Sequence, residues 1–286
     1  MNEKKNMCRQ LIDEPLRLHT SFKIGGPAKL FLVPESVEQL VCAVRSFPSA
    51  KLLGKGTNVL APDEGVDVVI STLGLDGFYF DGNFLISEAG ALLNRLCVEA
   101  AQRGLSGLEF AYGIPGTVGG AVFMNAGAYG GQMADVVEWV EYFDGESVKI
   151  SNANELEFSY RDSVFKRKNW VILRVCLRLG ESESEKVRSK MEEIMRRRME
   201  TQPLDVPSAG SFFKRPRPDF YVGKAIEQLG LKGFRVGNAQ VSVKHAGFIV
   251  NVGSATAKDV LTLAQIVKNM VEKHFNVVLE PEVDIW

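Results

Sequence analysis

Two glycine-rich stretches are where this chain could first do chemistry. Residues 104–131, GLSGLEFAYGIPGTVGGAVFMNAGAYGG, hold nine glycines in 28 positions, against 27 in the whole sequence of 286. Such density marks backbone that takes positive φ or lies very close to something large. Within it, Ile114-Pro115-Gly116-Thr117-Val118-Gly119-Gly120-Ala121 reads as a tight turn opening a helix. A helix start leaves backbone N–H groups without intrahelical acceptors, which with the helix dipole suits a phosphate-like anion. The same glycines would equally let a helix pack closely on a sheet. The second stretch is Gly54-Lys55-Gly56-Thr57-Asn58-Val59-Leu60, after a short strand over 51–53. It is no P-loop, because Ser49 stands where the first glycine belongs and Gly56 follows Lys55; it is no dinucleotide fingerprint, because Val59 takes the third glycine's place. What remains is a turn of small residues whose successive N–H groups could form an anion-binding nest, or a plain β-turn.

Composition narrows what such loops could serve. The chain is 45% apolar and 24% charged, with 34 basic and 35 acidic residues interspersed to a net charge of −1. No basic field is available for nucleic acid or an anionic membrane. Cys8, Cys42, Cys97 and Cys176 lie far apart with three histidines, His19, His245 and His274, so no metal-ligand spacing occurs. No apolar run reaches the roughly 20 residues of a membrane span, and none follows the basic N-terminus as in a leader. A reducing cytoplasm is the expected compartment.

The elements that must hold the loops follow from periodicity. After a polar start, 20–27 reads as a turn and 28–33 as a strand. Ser36-Val37-Glu38-Gln39 has capping-box spacing, and Val37, Leu40, Val41 and Val44 predict an amphipathic helix over 36–46. Strands are expected over 66–71, 77–80 and 84–87, separated by Asp-Gly turns. Leu92 to Ala101 form a helical stripe that Gly104 ends. A hairpin over 135–143 and 148–151 turns at Asp144-Gly145, and 170–179 is a further strand. Acidic and basic residues crowd 181–200, yet Val187, Met191, Ile194 and Met195 share one face, which predicts an exposed connecting helix. The main boundary falls near 201. Beyond it come a short helix over 222–229, strands near 239–243 and 247–250, and a long helix capped by Thr256 with Asp259. Segments 277–279 and 283–286 close the chain.

Seven motifs in order resemble the UDP-N-acetylenolpyruvoylglucosamine reductase family: TSFKIGG at 20–26, GKGTNVL at 54–60, the segment 113–130, YRDS at 160–163, AGSFFK at 209–214, LKG at 231–233 and LEPEV at 279–283. The resemblance implies an α+β fold: a two-subdomain FAD-binding fold of the vanillyl-alcohol-oxidase type over 1–80 and 81–200, then an α/β substrate-binding domain over 201–286. It implies non-covalent FAD, with Gly54, Gly56, Thr57, Asn58, Ile114, Gly116, Thr117, Gly120 and Asn125 as its contacts, and no metal. The implied activity is NADPH-dependent reduction of UDP-N-acetylglucosamine enolpyruvate to UDP-N-acetylmuramate in peptidoglycan precursor synthesis, hence a part in cell-wall growth and division. Hydride addition builds negative charge toward the substrate carboxylate, so a fixed cation and a placed proton donor are needed. By motif position these are Arg161, with Glu282 beside it in role, and Ser211. Tyr160, Arg215, Lys232 and His245 match substrate positions. A monomer or weak oligomer, with no nucleic-acid or membrane partner, is expected. Without the resemblance, Arg161 reads as a surface ion-pair residue, Ser211 as a turn hydroxyl and Glu282 as an edge carboxylate.

Longer members of that family carry a tyrosine-bearing insertion between the motif arginine and serine; here the interval holds only a strand and the charged helix, which matches the shorter subgroup. Two rivals share the scaffold. One is a flavin oxidase, although Pro27 follows Gly25-Gly26 where covalent oxidases carry a histidine. The other is a nucleotide-sugar sensor that retains no flavin.

Overall fold

A computed structural model describes residues 8–286; the first seven residues of the span 1–80 lie outside the described residues. The chain divides into two compact units, each assembled from separate segments. The first takes the chain up to Ile12, Leu30–Lys55 and Val68–Arg197, and the second takes Asp13–Lys29, Gly56–Asp67 and Arg198–Trp286. Among the described residues the helices are α1 (Val37–Ser46), α2 (Leu93–Gln102), α3 (Val118–Phe123), α4 (Val164–Arg167), α5 (Ser184–Thr201), α6 (Val222–Gln228) and α7 (Ala257–Phe275).

In the first unit a five-stranded antiparallel sheet runs in the order Val148–Asn152, Val137–Phe143, Val171–Arg178, Phe84–Glu88, Phe78–Asp81. Buried Leu85, Leu93, Leu96, Val118, Val122, Val140, Val175 and Leu177 join α2 and α3 to this sheet in one core. A smaller core holds Leu32, Leu40, Ile70, Phe143 and Leu173. There α1 is started as its spacing predicts, the Ser36 hydroxyl accepting from Gln39 N at 3.3 Å. The charged run folds as α5, its buried stripe Val187, Met191 and Ile194 leaving most of the ionic residues in water, with Arg198 buried as an exception.

The second unit has an antiparallel sheet ordered Ser208–Ser211, Phe248–Asn251, Ala239–Val241, Arg235–Val236, with α7 packed against it. A reciprocal capping box starts α7: Thr256 Oγ1 accepts from Asp259 N and Asp259 Oδ2 accepts from Thr256 N. The Asp63 carboxylate also accepts from Ala257 N at 2.8 Å and Lys258 N at 3.1 Å, so the first turn has a second, distant cap. Three expectations need correction. The polar start contains a strand, Arg9–Pro15, that shows no apolar alternation because nearly all of it is exposed or half-exposed. The expected strand over 239–243 ends at Val241, where the chain turns at Ser242. Residues 277–279 alternate buried, exposed, buried but pair with no strand.

Candidate active site

The glycines of the long stretch do two different things. Gly119 is buried, and a Cβ there would lie 2.8 Å from both Cβ and the carbonyl oxygen of Ala89, so this glycine lets α3 press onto the sheet. Gly120 is exposed, and a Cβ there would meet only Thr117 Oγ1, at 3.3 Å. The helix terminus itself is not the source of anion donors. Val118 N donates to Ala91 O, Gly119 N to Ala89 O and Gly120 N to Thr117 Oγ1. The turn before it is different: among the described residues, no hydrogen bond engages the backbone N–H of Gly116 or Thr117.

The second loop adjoins this turn within the first unit, where a Cβ on Gly54 would stand 2.7 Å from Thr117 Oγ1. Among the described residues, Lys55 N likewise donates to nothing. The continuation of the loop belongs to the second unit. Gly56 takes φ 65° and lies so close to His19 that a Cβ would fall 2.1 Å from its carbonyl oxygen. Its N–H and that of Thr57 have no acceptor among the described residues. Backbone donors of successive small residues without protein acceptors are what an anionic diphosphate requires.

Two asparagines expected among the cofactor contacts have their side-chain amides engaged by protein. Asn58 Nδ2 donates to Glu282 O at 3.0 Å. Asn125, 1% exposed, donates through Nδ2 to Gln132 Oε1 and Ser159 O, and its Oδ1 accepts from Ala134 N.

The segments carrying Ser211 and Glu282 are joined by backbone pairing inside the second unit. Ser208 pairs with Val250 and Ser211 with Phe248, three steps against two, so Ser208–Ser211 carries a bulge with Gly210 at φ 80°. A bulge re-aims the following side chain, here Ser211. The next residues leave the sheet: Glu282 N donates to Phe212 O at 2.8 Å, Lys214 N donates to Glu280 O at 2.9 Å, and Phe213 bridges Pro281. On its other side the same segment pairs in parallel with the glycine loop, Asp284 with Val59 and Ile285 with Leu60. Arg161 is a first-unit residue. It sits at φ 55° in a two-residue turn closed by Ser159 and Asp162, its Nη2 donating to Gly127 O at 2.9 Å and its guanidinium 5.4 Å from the Tyr160 ring centre.

The remaining candidates cluster around α6 in the second unit. The Arg215 guanidinium lies 4.5 Å over the ring of exposed Tyr221, and Lys224 Nζ 5.2 Å from the same ring. Lys232 pairs with Glu227 at 2.6 Å. His245 packs against Gly223, accepts from Gly247 N through Nδ1, and is held below its ordinary value of 6.5 chiefly by burial, against the opposing pull of a backbone hydrogen bond, with nearby Lys232 lowering it further and Glu227 raising it. Sequence reasoning did not single out Tyr221 and Lys224. The signal was available in Tyr221-Val222-Gly223-Lys224, an aromatic and a cation spaced around the one residue small enough for His245 to approach.

The C-terminal domain model of UDP-N-acetylenolpyruvoylglucosamine reductase matches residues 202–286, and an FAD binding domain model matches residues 28–151. A UDP-N-acetylenolpyruvoylglucosamine reductase of Pseudothermotoga lettingae is 56% identical over 283 residues, 99% of this chain and 100% of that protein. This chain belongs to the UDP-N-acetylenolpyruvoylglucosamine reductase family. The reductase of Thermotoga maritima is 51% identical over 96% of this chain and 97% of its own. The crystal structure of the reductase from Thermus caldophilus superposes with a TM-score of 0.84 at 40% identity, covering 98% of each chain. The fold is therefore the FAD-binding α+β fold of the reductase family, and FAD is its cofactor. Within the first unit, the unengaged backbone N–H groups of Lys55, Gly116 and Thr117 have the chemistry an anionic phosphate group needs, and Gly120 nearby is exposed.

Proposed function

We propose that the chain reduces UDP-N-acetylglucosamine enolpyruvate to UDP-N-acetylmuramate with NADPH as donor, through the residues that family membership and geometry favour. FAD, when bound, would supply the hydride chemistry that links NADPH to the enolpyruvyl double bond. In the first unit, the backbone N–H groups of Lys55, Gly116 and Thr117 would hold its phosphate groups. Ser211 delivers the proton to the carbon next to the one that receives hydride, giving the lactyl ether. Arg161 stays charged at any working pH and opposes the negative charge that builds toward the substrate carboxylate. Glu282 acts with it in polarising that carboxylate. Arg215, Lys224 and Lys232 supply cations for the nucleotide-sugar diphosphate, Tyr221 an aromatic face, and neutral His245 an Nε2–H donor.

The observation that supports the assignment is the Glu282 N to Phe212 O bond beside the Gly210 bulge, which ties the segment carrying the carboxylate to the residue next to Ser211. The division of labour over 1–80, 81–200 and 201–286 belongs to the same proposal. So do a cytoplasmic, monomeric or weakly oligomeric state and a supply role in wall growth and division. Rapid-mixing kinetics test it by half-reaction. Ser211→Ala should leave flavin reduction by NADPH intact and slow reoxidation by the enolpyruvyl substrate roughly 100-fold or more, the scale of general acid catalysis. Loss of the first half-reaction instead would remove Ser211 as proton donor. Faster reoxidation by O₂ than by the sugar nucleotide would favour the oxidase.

A further inference from the structure

We infer that Asn125 is a positioning residue that sets where the Arg161 guanidinium sits, rather than a side chain that touches the cofactor. The inference rests on the reading of Arg161 given above. Ser159 and Asp162 exchange both backbone hydrogen bonds, Ser159 N to Asp162 O at 3.1 Å and Asp162 N to Ser159 O at 3.2 Å. This leaves Tyr160 and Arg161 as the two turn residues. Arg161 adopts left-handed backbone, at φ 55°, which an arginine takes only when its surroundings impose it.

Besides Lys166, whose Nζ donates to Arg161 O at 3.3 Å, those surroundings include the segment that leaves α3. Ser163 Oγ donates to Phe123 O at 2.8 Å, Asn125 Nδ2 donates to Ser159 O at 2.8 Å, and Arg161 Nη2 donates to Gly127 O at 2.9 Å. Asn125 is the middle of the three ties. It is itself left-handed at φ 41°, a conformation asparagine tolerates, and it is 1% exposed. Both side-chain N–H groups are used, the second on Gln132 Oε1 at 3.1 Å, and Oδ1 holds Ala134 N at 3.0 Å. An aspartate of the same shape would turn an acceptor toward the Ser159 carbonyl and toward Gln132 Oε1, cutting the middle tie without emptying the site. The helix that opens beside the diphosphate donors therefore ends in the anchor of the arginine.

The test uses the flavin-loaded enzyme and four variants: Asn125→Asp, Asn125→Gly, Arg161→Lys and the double Asn125→Asp/Arg161→Lys. Glycine keeps φ 41° accessible, so it reports on the missing amide if the aspartate variant folds poorly. Expected for both Asn125 variants are unchanged FAD content and flavin reduction by NADPH. Reoxidation by the enolpyruvyl sugar nucleotide should slow roughly 10- to 100-fold, as when a catalytic group moves by about 1 Å, with kcat moving more than KM. In the Arg161→Lys background, Asn125→Asp should remove no further rate, because both act through one group. A fully additive loss in the double variant overturns the inference. So does FAD loss with normal reoxidation per bound flavin, which would make Asn125 a cofactor contact. Reoxidation slowed by Arg161→Lys but untouched by either Asn125 variant overturns the positioning role alone. Reoxidation unaffected by Arg161→Lys overturns the arginine's role and with it any route through that residue.

Discussion

At the scale of single residues, the two adjacent glycines of α3 give opposite expectations. Gly119→Ala drives a methyl against the backbone of Ala89, which cannot move without shifting the sheet strand that precedes it. Such overpacking costs about 1–3 kcal/mol, so a lowered Tm is expected. Gly120→Ala meets only the Thr117 hydroxyl and should fold with a normal Tm while binding FAD more weakly, as titration of the apoprotein would show. Buried thiols give a second expectation. Burial pushes Cys97 up to about 12 and Cys176 up to about 11, while Cys42 is exposed. Since the thiolate is the nucleophile, native protein at neutral pH should be alkylated first at Cys42 and resist at Cys97 and Cys176, as peptide mass mapping would reveal. His245 supplies a pH signature. Its folded value is depressed, so the unfolded chain binds the proton more readily. The associated stability is fully present above the ordinary 6.5 and is lost as pH falls through the lower folded value. His245→Gln should flatten the acid side of the Tm-versus-pH curve there; an unchanged slope would mean the ring charges without penalty.

At the scale of elements, caps show which parts of the fold were legible. The spacing Thr256 to Asp259 announced α7 because both ends of that capping box lie within one turn. The Asp63 cap of the same helix was invisible, since Asp63 stands 194 residues before Ala257. Asp63→Ala should cost about 0.5–2 kcal/mol, typical of a lost carboxylate cap, and should speed amide exchange at Ala257 and Lys258. The same distinction separates the site's legible half from its hidden half. The glycine loops betray themselves by local density, but what their asparagines do depends on partners 34 residues away for Asn125 and 224 for Asn58. The motifs assigned both to the cofactor; the hydrogen bonds turn their amides to the segments carrying Arg161 and Glu282. Strands Arg9–Pro15 and Ser208–Ser211 were hidden for a different reason. The first has no fully buried residue, and the second is made of small residues, so neither shows the apolar alternation from which a strand is read.

At the scale of the whole molecule, the second unit is not the C-terminal segment alone. Residues 202–286 match a domain model, which suggests an autonomous module, yet the core of this unit includes Phe22, Ile24 and Leu60 from the other end of the sequence, exposed by 0%, 2% and 1%. Burying three such side chains is worth about 1.5–3 kcal/mol each, together a large share of the roughly 5–15 kcal/mol that stabilises an ordinary domain. The early segments also supply the strand that pairs with Asp284–Ile285, the Asp63 cap of α7, and the Phe22 carbonyl to which buried Asn251 donates at 3.0 Å. A fragment of residues 198–286 therefore lacks a closed core, and its Asn251 amide faces an unmet hydrogen bond. Expressed alone it should give poorly dispersed amide NMR signals and no cooperative thermal transition, and adding FAD should not rescue it. A cooperative, well-dispersed fragment would show instead that the early segments only decorate a core complete without them, and the tie between the Gly56–Leu60 loop and Glu282 would then be a contact made after folding rather than part of it.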